Sequence, residues 1–223
     1  MSCEQRFCRC PLNLQMIMKP TLHLFALSLL GLLLAACHET ADDNTEFSNW
    51  QERNESYFQQ KYLSAVNGTA LQDKIFVLTK WSLNDSITTK AEDHIVVEVL
   101  EEGTGSGCPL FTDSVRVHFR GHTIPTNASP DGYVIGSSYE GTFYEQTAQP
   151  RTLSVSASTT VDGLATALQR MHIGDRWRIT IPYQLGYSIA DYTPTTTTGW
   201  ISVSVPAYTT LIYDVKLVGY YRH

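Results

Sequence analysis

Cysteine is scarce in this chain of 223 residues: there are 5, and beyond position 37 only Cys108 is left. A lone thiol closes no internal disulfide, even in a compartment that would permit one. Positive charge is scarce too, with 16 Lys and Arg against 22 Asp and Glu, a formal net charge of -6 and a pI near 5.6. No basic surface is available to neutralise phosphates, which excludes nucleic acid as a partner. The acidic balance reads as a solvated surface that favours solubility. Past the N-terminal segment there is no Cys-x-x-Cys, no Gly-x-Ser-x-Gly, no phosphate-binding glycine loop and no His-Glu-x-x-His. The usual signatures of dithiol redox, serine hydrolase, nucleotide and zinc peptidase chemistry are therefore missing. Internal repeats and long low-complexity tracts are absent as well, Thr195 to Thr198 being only a short polar loop signal. The one long apolar run, Leu22 to Leu34, is shorter than the about 20 residues that cross a bilayer.

What is present begins with that run. Lys19 precedes it, and it ends in Leu34-Ala35-Ala36-Cys37. Small residues directly before a cysteine mark a processing site, and the ending resembles the lipobox of bacterial lipoproteins. The resemblance implies that residues 1–36 are a signal peptide and that Cys37 is lipidated and becomes the first mature residue. The chain would then be held at a membrane of the bacterial cell envelope, periplasmic or surface-exposed, by a lipid rather than by its polypeptide. Polar, acidic His38 to Ser48 reads as a tether. Trp50, Tyr57, Phe58, Tyr62 and Ala65 then recur at near-helical spacing, which predicts a helix from about Asn49 to Val66 ended by Asn67-Gly68. Leu71 to Trp81 reads as a strand or a helix extension. The expected division is a tether and helical segment over residues 37–90 and a domain over residues 91–223.

From His94 onward the text reads as strands. Ile95-Val96-Val97-Glu98-Val99-Leu100 is β-branched and runs into a Glu101 to Gly105 loop. Val115, Val117 and Phe119 alternate with Arg116, His118 and Arg120; His118 and His122, on the outer parity, are expected to be solvated. Cys108, between Gly107 and Pro109, is expected to be an inert loop thiol. Val161, Leu164, Leu168 and Met171 repeat at helical spacing before Gly174, after which Trp177, Ile179 and Ile181 alternate with Arg176, Arg178 and Thr180. Leu211, Tyr213, Val215 and Leu217 alternate in the same way near the end. Antiparallel strands with one short helix predict an α+β fold whose helix covers one sheet face.

Five segments carry a resemblance to a family. They are Val117-His118-Phe119-Arg120-Gly121, Asp131 to Ser138, Val161-Asp162-Gly163-Leu164, Ile181-Pro182-Tyr183-Gln184-Leu185-Gly186-Tyr187, and Val205-Pro206-Ala207-Tyr208-Thr209-Thr210-Leu211-Ile212-Tyr213-Asp214-Val215. Together, over roughly His94 to Tyr220, they resemble the FKBP-type peptidyl-prolyl cis-trans isomerases. The resemblance implies an FKBP-like antiparallel sheet wrapped around one short helix, with the Asn49 to Val66 helix as an addition. It implies Tyr187, Phe119 and Val161 as catalytic residues, Tyr187 as hydroxyl donor, and Ile135, Gly136, Leu164 and Tyr213 as substrate-binding residues. The chain departs from the family pattern in that Phe119 lacks a hydroxyl, Ile135 replaces a Phe, Gly136 an Asp and Leu164 a Trp. Arg151 stands where an aromatic is common, and the loops from Ser138 to Pro150 and from Tyr187 to Pro206 are lengthened.

Turning an X-Pro bond requires no nucleophile, metal or cofactor, so none is expected. The implied function is isomerisation of proline-containing segments of exported proteins, assisting their folding. Two readings stand beside it: a non-catalytic FKBP-like peptide-binding module, and a surface-assembly lipoprotein using the Trp50 to Val66 helix and the long loops.

Overall fold

In the computed structural model, residues 45–68, 74–83, 89–156, 160–194 and 202–222 are described. The expected signal segment, Cys37 and the start of the expected tether lie outside them, as do Thr195 to Thr198. Two-residue alternation builds the molecule: β1 (Ile75–Thr79), β2 (His94–Glu101), β3 (Ser114–His122), β4 (Val134–Ser137), β5 (Arg151–Ser154), β6 (Arg176–Ile181) and β7 (Leu211–Tyr221). They form one sheet in the order β1-β2-β6-β7-β3-β4, with β5 paired to β3, and every pairing is antiparallel. Of the segment from Leu71 to Trp81, Ile75–Thr79 is strand β1, and residues 71–73 lie outside the described residues. Residues directly opposite in such a ladder share a face. Val97, Ile179, Tyr213, Val215, Phe119, Val117 and Leu217 therefore point the same way, and all are fully buried.

That inner face closes over α2 (Asp162–Leu168), a helix of seven residues whose Gly163 to Leu168 are all buried. A β-carbon on Gly163 would lie 2.3 Å from Ile181 Cγ2, so the glycine sets how closely the helix seats on β6. The fold is the expected α+β one, with its additional helix: α1 (Trp50–Val66) lies on the outer face. Trp50, Asn54 and Phe58, four residues apart, form its buried stripe. Trp50 packs with Ile124 and Ile212, the latter an outward residue of β7, and the Tyr62 ring lies 5.4 Å from that of His94. The far end of the helix, Leu63 and Val66, is exposed.

The solvated outer face expected around His118 and His122 is a misreading. His118 is only 3% exposed and faces Phe143 at 5.4 Å, because the lengthened loop after β4 folds across the strand. Burial lowers the pKa of both imidazoles. His122 is half-buried, its Nδ1 3.0 Å from the Thr123 carbonyl. Around them Arg178 pairs with Asp214 (2.9 Å) and Glu98 (3.6 Å), Arg176 with Glu101 (3.1 Å), and Lys216 with Glu101 (2.9 Å) and Glu145 (2.7 Å).

Gly163→Ala tests the close seating of α2. Alanine's helix propensity favours the change by about 1 kcal/mol, whereas overpacking costs about 1–3 kcal/mol. The net expectation is destabilisation, read as a lower urea midpoint at unchanged m-value; a raised midpoint would mean that Ile181 yields freely.

Candidate active site

β3 and β7 are neighbours, with Phe119 opposite Val215 and Gly121 opposite Tyr213. Phe119 and Tyr213 thus approach α2 from adjacent strands, their ring centroids 6.5 Å apart. The Tyr213 ring lies directly over Gly121, where a β-carbon would meet Tyr213 Cε1 at 2.3 Å. Gly136 of β4 sits across the ladder from Gly121, so the two glycines leave this wall without side chains beside the tyrosine. Ile135, next to Gly136, joins Phe119, Val161, Leu164 and Tyr213 in one buried cluster, and Tyr187 packs against it. The structure thus brings Phe119, Ile135, Val161, Leu164, Tyr187 and Tyr213 together, with Gly136 beside Ile135 on β4, while Cys37, the expected lipidation site, lies outside the described residues.

The polar groups there are few. Val161 takes the extended conformation one position before α2, and its carbonyl accepts the Ala165 N–H at 3.0 Å. Its own N–H has no acceptor among the described residues. Tyr187 follows the 3-10 turn Tyr183–Leu185. Burial pushes the pKa values of Tyr187 and Tyr213 up, Tyr213 being the deeper. Both phenols stay protonated at any physiological pH and are fixed as donors.

The lengthened segment after Tyr187 supplies a residue that the sequence did not single out. Tyr192 and Val205 exchange backbone hydrogen bonds of 2.9 and 2.8 Å, folding the segment back on itself, and Ser202 donates to the Ile135 carbonyl at 2.8 Å. This flap lays the Tyr192 ring on that of Tyr187, centroids 4.1 Å apart and 26° from parallel. The five-residue spacing between the two tyrosines was visible, but nothing in it signalled the fold-back. Arg151, in place of an aromatic, holds its guanidinium 5.7 Å from the Phe119 ring.

Elsewhere, a cavity of about 510 Å³ opens on the outer face between α1 and the Tyr139 to Phe143 loop, separated from this cluster by the sheet. No group of His, Cys, Asp and Glu among the described residues is arranged to hold a metal ion. Cys108 is a half-buried thiol whose pKa is raised, chiefly by burial, as suits an inert group.

Residues 109–218 match the family model described as "FKBP-type peptidyl-prolyl cis-trans isomerase". Those residues form an FKBP-type domain. The chain is also 30% identical over 146 residues to the macrophage infectivity potentiator of Trypanosoma cruzi, an alignment covering 66% of this chain and 62% of that protein. It is 28% identical over 127 residues to the FKBP-type 22 kDa peptidyl-prolyl cis-trans isomerase of Escherichia coli (strain K12), over 57% of this chain and 50% of the relative. The chain thus spans less than two thirds of either curated relative. Among solved structures, a peptidyl-prolyl cis-trans isomerase from Pseudomonas syringae pv. tomato superimposes with a TM-score of 0.50 at 18% identity, covering 79% of this chain and 96% of that one. That likeness is one of fold. The match to the family model spans every pocket residue named above and stops short of α1, which lies ahead of the FKBP-type domain in the sequence.

The buried tyrosines give the FKBP-type domain a pH signature. Their folded-state pKa values lie above the 10.0 of an ordinary tyrosine. Above that pH the unfolded chain releases protons that the folded chain retains, so their contribution is complete below about pH 10 and is lost as pH rises through the folded values. The denaturation midpoint is expected to fall as pH rises above about 10, and to fall less steeply in Tyr187→Phe. Equal slopes for the two proteins would contradict the assignment.

Proposed function

We propose that the protein is a peptidyl-prolyl cis-trans isomerase acting on proline-containing peptide segments, with Tyr187, Phe119 and Val161 at the reacting bond and Ile135, Gly136, Leu164 and Tyr213 around the prolyl ring. The observation that carries this reading is the convergence of these residues, from five separate segments, on one apolar cluster with two protonated phenols, within the part of the chain that matches the family model.

The chemistry follows from the amide. Resonance makes the barrier roughly 18–20 kcal/mol, and unaided X-Pro exchange takes tens to hundreds of seconds. The twisted amide has lost its charge-separated form, so it prefers an apolar, water-poor site to water. A floor of Leu164, with Phe119 and Ile135 as walls, offers such a site. The Tyr187 hydroxyl and the Val161 N–H are donors for substrate carbonyls and hold the peptide in its turned form. An acceleration of about 10⁵-fold asks for roughly 7 kcal/mol of differential stabilisation. One neutral hydrogen bond supplies only about 0.5–1.5 kcal/mol of that, leaving desolvation and shape as the larger contributors.

A second reading, a non-catalytic peptide-binding module, is favoured by one observation: the Tyr192 ring stacked over Tyr187. An X-Pro peptide assay decides between the two. Turnover well above the spontaneous rate, reduced several-fold in Tyr187→Phe with unchanged circular dichroism, supports the enzyme; a background rate alongside measurable peptide binding supports the module.

We also propose, from Leu34-Ala35-Ala36-Cys37, that a lipid on Cys37 holds the protein at the cell envelope, where its substrates are exported proteins. Cys37→Ala is expected to move it from the membrane to the soluble fraction or to block its maturation. An unmodified Cys37 in intact-mass analysis of the cellular protein would overturn this.

A further inference from the structure

Helix α1 grips the flap at its base. Trp50 Nε1 donates to Thr209 Oγ1 at 2.9 Å, in a bond shielded from water. Asn54, fully buried in the helix's apolar stripe, accepts the Thr210 N–H on Oδ1 at 2.7 Å, and its backbone carbonyl accepts the Thr210 hydroxyl at 3.2 Å. The Asn54 amide is oriented by donating to the Trp50 carbonyl at 2.7 Å. On the flap's other side, the Tyr183 hydroxyl donates to Glu55 at 3.1 Å.

Between these holds lies a strained hinge. Ser188 and Tyr208 both have left-handed backbones, φ 70 and 61, and are joined by the Tyr208 N–H to the Ser188 carbonyl at 3.0 Å. Left-handed non-glycine residues persist only where their surroundings over-determine them. Here the surroundings are the Tyr183 ring, 5.2 Å from that of Tyr208, and the helix behind it. Tyr187 is one residue before the hinge on one side, and Tyr213 comes three residues after Thr210 on the other.

We propose that Trp50 and Asn54 are positioning residues for the isomerase pocket, latching the base of the flap and thereby holding Tyr187 and Tyr213 in place. Helix α1 is then a working part of the site although the family match does not reach it. The kinetic part of this inference rests on the isomerase reading; the mechanical part does not.

The test uses the full chain in three variants: Asn54→Leu, which removes both side-chain bonds at similar size; Trp50→Phe, which removes the indole N–H together with one ring of the side chain; and Phe58→Leu, which loosens the same helix away from the latch. Amide exchange is followed at Tyr192, Val205 and Tyr208 in the flap and at Ile179 and Val215 in the sheet. The latch predicts at least tenfold faster exchange at the flap amides, with little change at the sheet amides, in Asn54→Leu and Trp50→Phe but not in Phe58→Leu. In the peptide assay, kcat falls about tenfold in the first two variants while KM moves less than twofold. Uniform loss of protection, unchanged flap amides, or a flap effect equally large in Phe58→Leu overturns the latch and leaves α1 a stabilising cover. Should Asn54→Leu fail to fold, Trp50→Phe decides the matter. If the wild type shows no turnover, the isomerase reading fails while the exchange measurements still judge the latch.

Discussion

The molecule depends on a sheet that buries both of its faces at one end. Strand β7 runs through its middle, and Leu211, Ile212 and Tyr213 are all buried although consecutive residues point to opposite sides. Ile212 lies under Trp50, and Tyr213 lies over Gly121 within the cluster that includes Leu164. A slip of one residue would exchange them, bringing the isoleucine to the pocket and the phenol to the helix. Register here is specified from both sides, and the aromatic wall of the pocket inherits that precision.

The same strands separate two kinds of environment. Outward from β6 and β7, Arg176, Arg178, Asp214 and Lys216 form an ion network shared with β2 and the following loops. These part-buried pairs gather the strands' charge on one side. The inner face carries none of that network, although Arg151 of β5, opposite Val117, holds its guanidinium over the Phe119 ring there. Burial is the first cause that raises the pKa of each tyrosine there; Tyr192 adds to the rise at Tyr187, and Tyr187 to the rise at Tyr213. A reaction helped by removing water from an amide requires a dry site more than it requires any particular functional group.

Much of this was legible because period-two alternation and a seven-residue apolar helix are local signals. Val115-Val117-Phe119, Trp177-Ile179-Ile181 and Leu211-Tyr213-Val215-Leu217 announced their inner faces, whereas the candidate site residues came from the family resemblance, with Phe119 and Tyr213 alone also lying on those runs. His118 defeated the same logic. Alternation places a residue on a side of the sheet but cannot say whether a loop 20 or so residues later, here the one carrying Phe143, returns to cover it. Asn54 was unreadable for a related reason: an asparagine between Trp50 and Phe58 looks like an interruption of the stripe until its partner Thr210, 156 positions away, is known. Tyr192 belongs with these, since a fold-back held by backbone bonds leaves no composition signal.

Strand order has a consequence in time. The strand that joins β6 to β3 is β7, the last of the seven to be made, so all six earlier strands exist before the centre of the sheet does. Until residues 211–221 are free to pair, β1-β2-β6 and β3-β4-β5 are two partial sheets with no ladder between them. Such non-local closure is slow compared with helical folds. A nascent chain of this design cannot join its two partial sheets until β7 has been made.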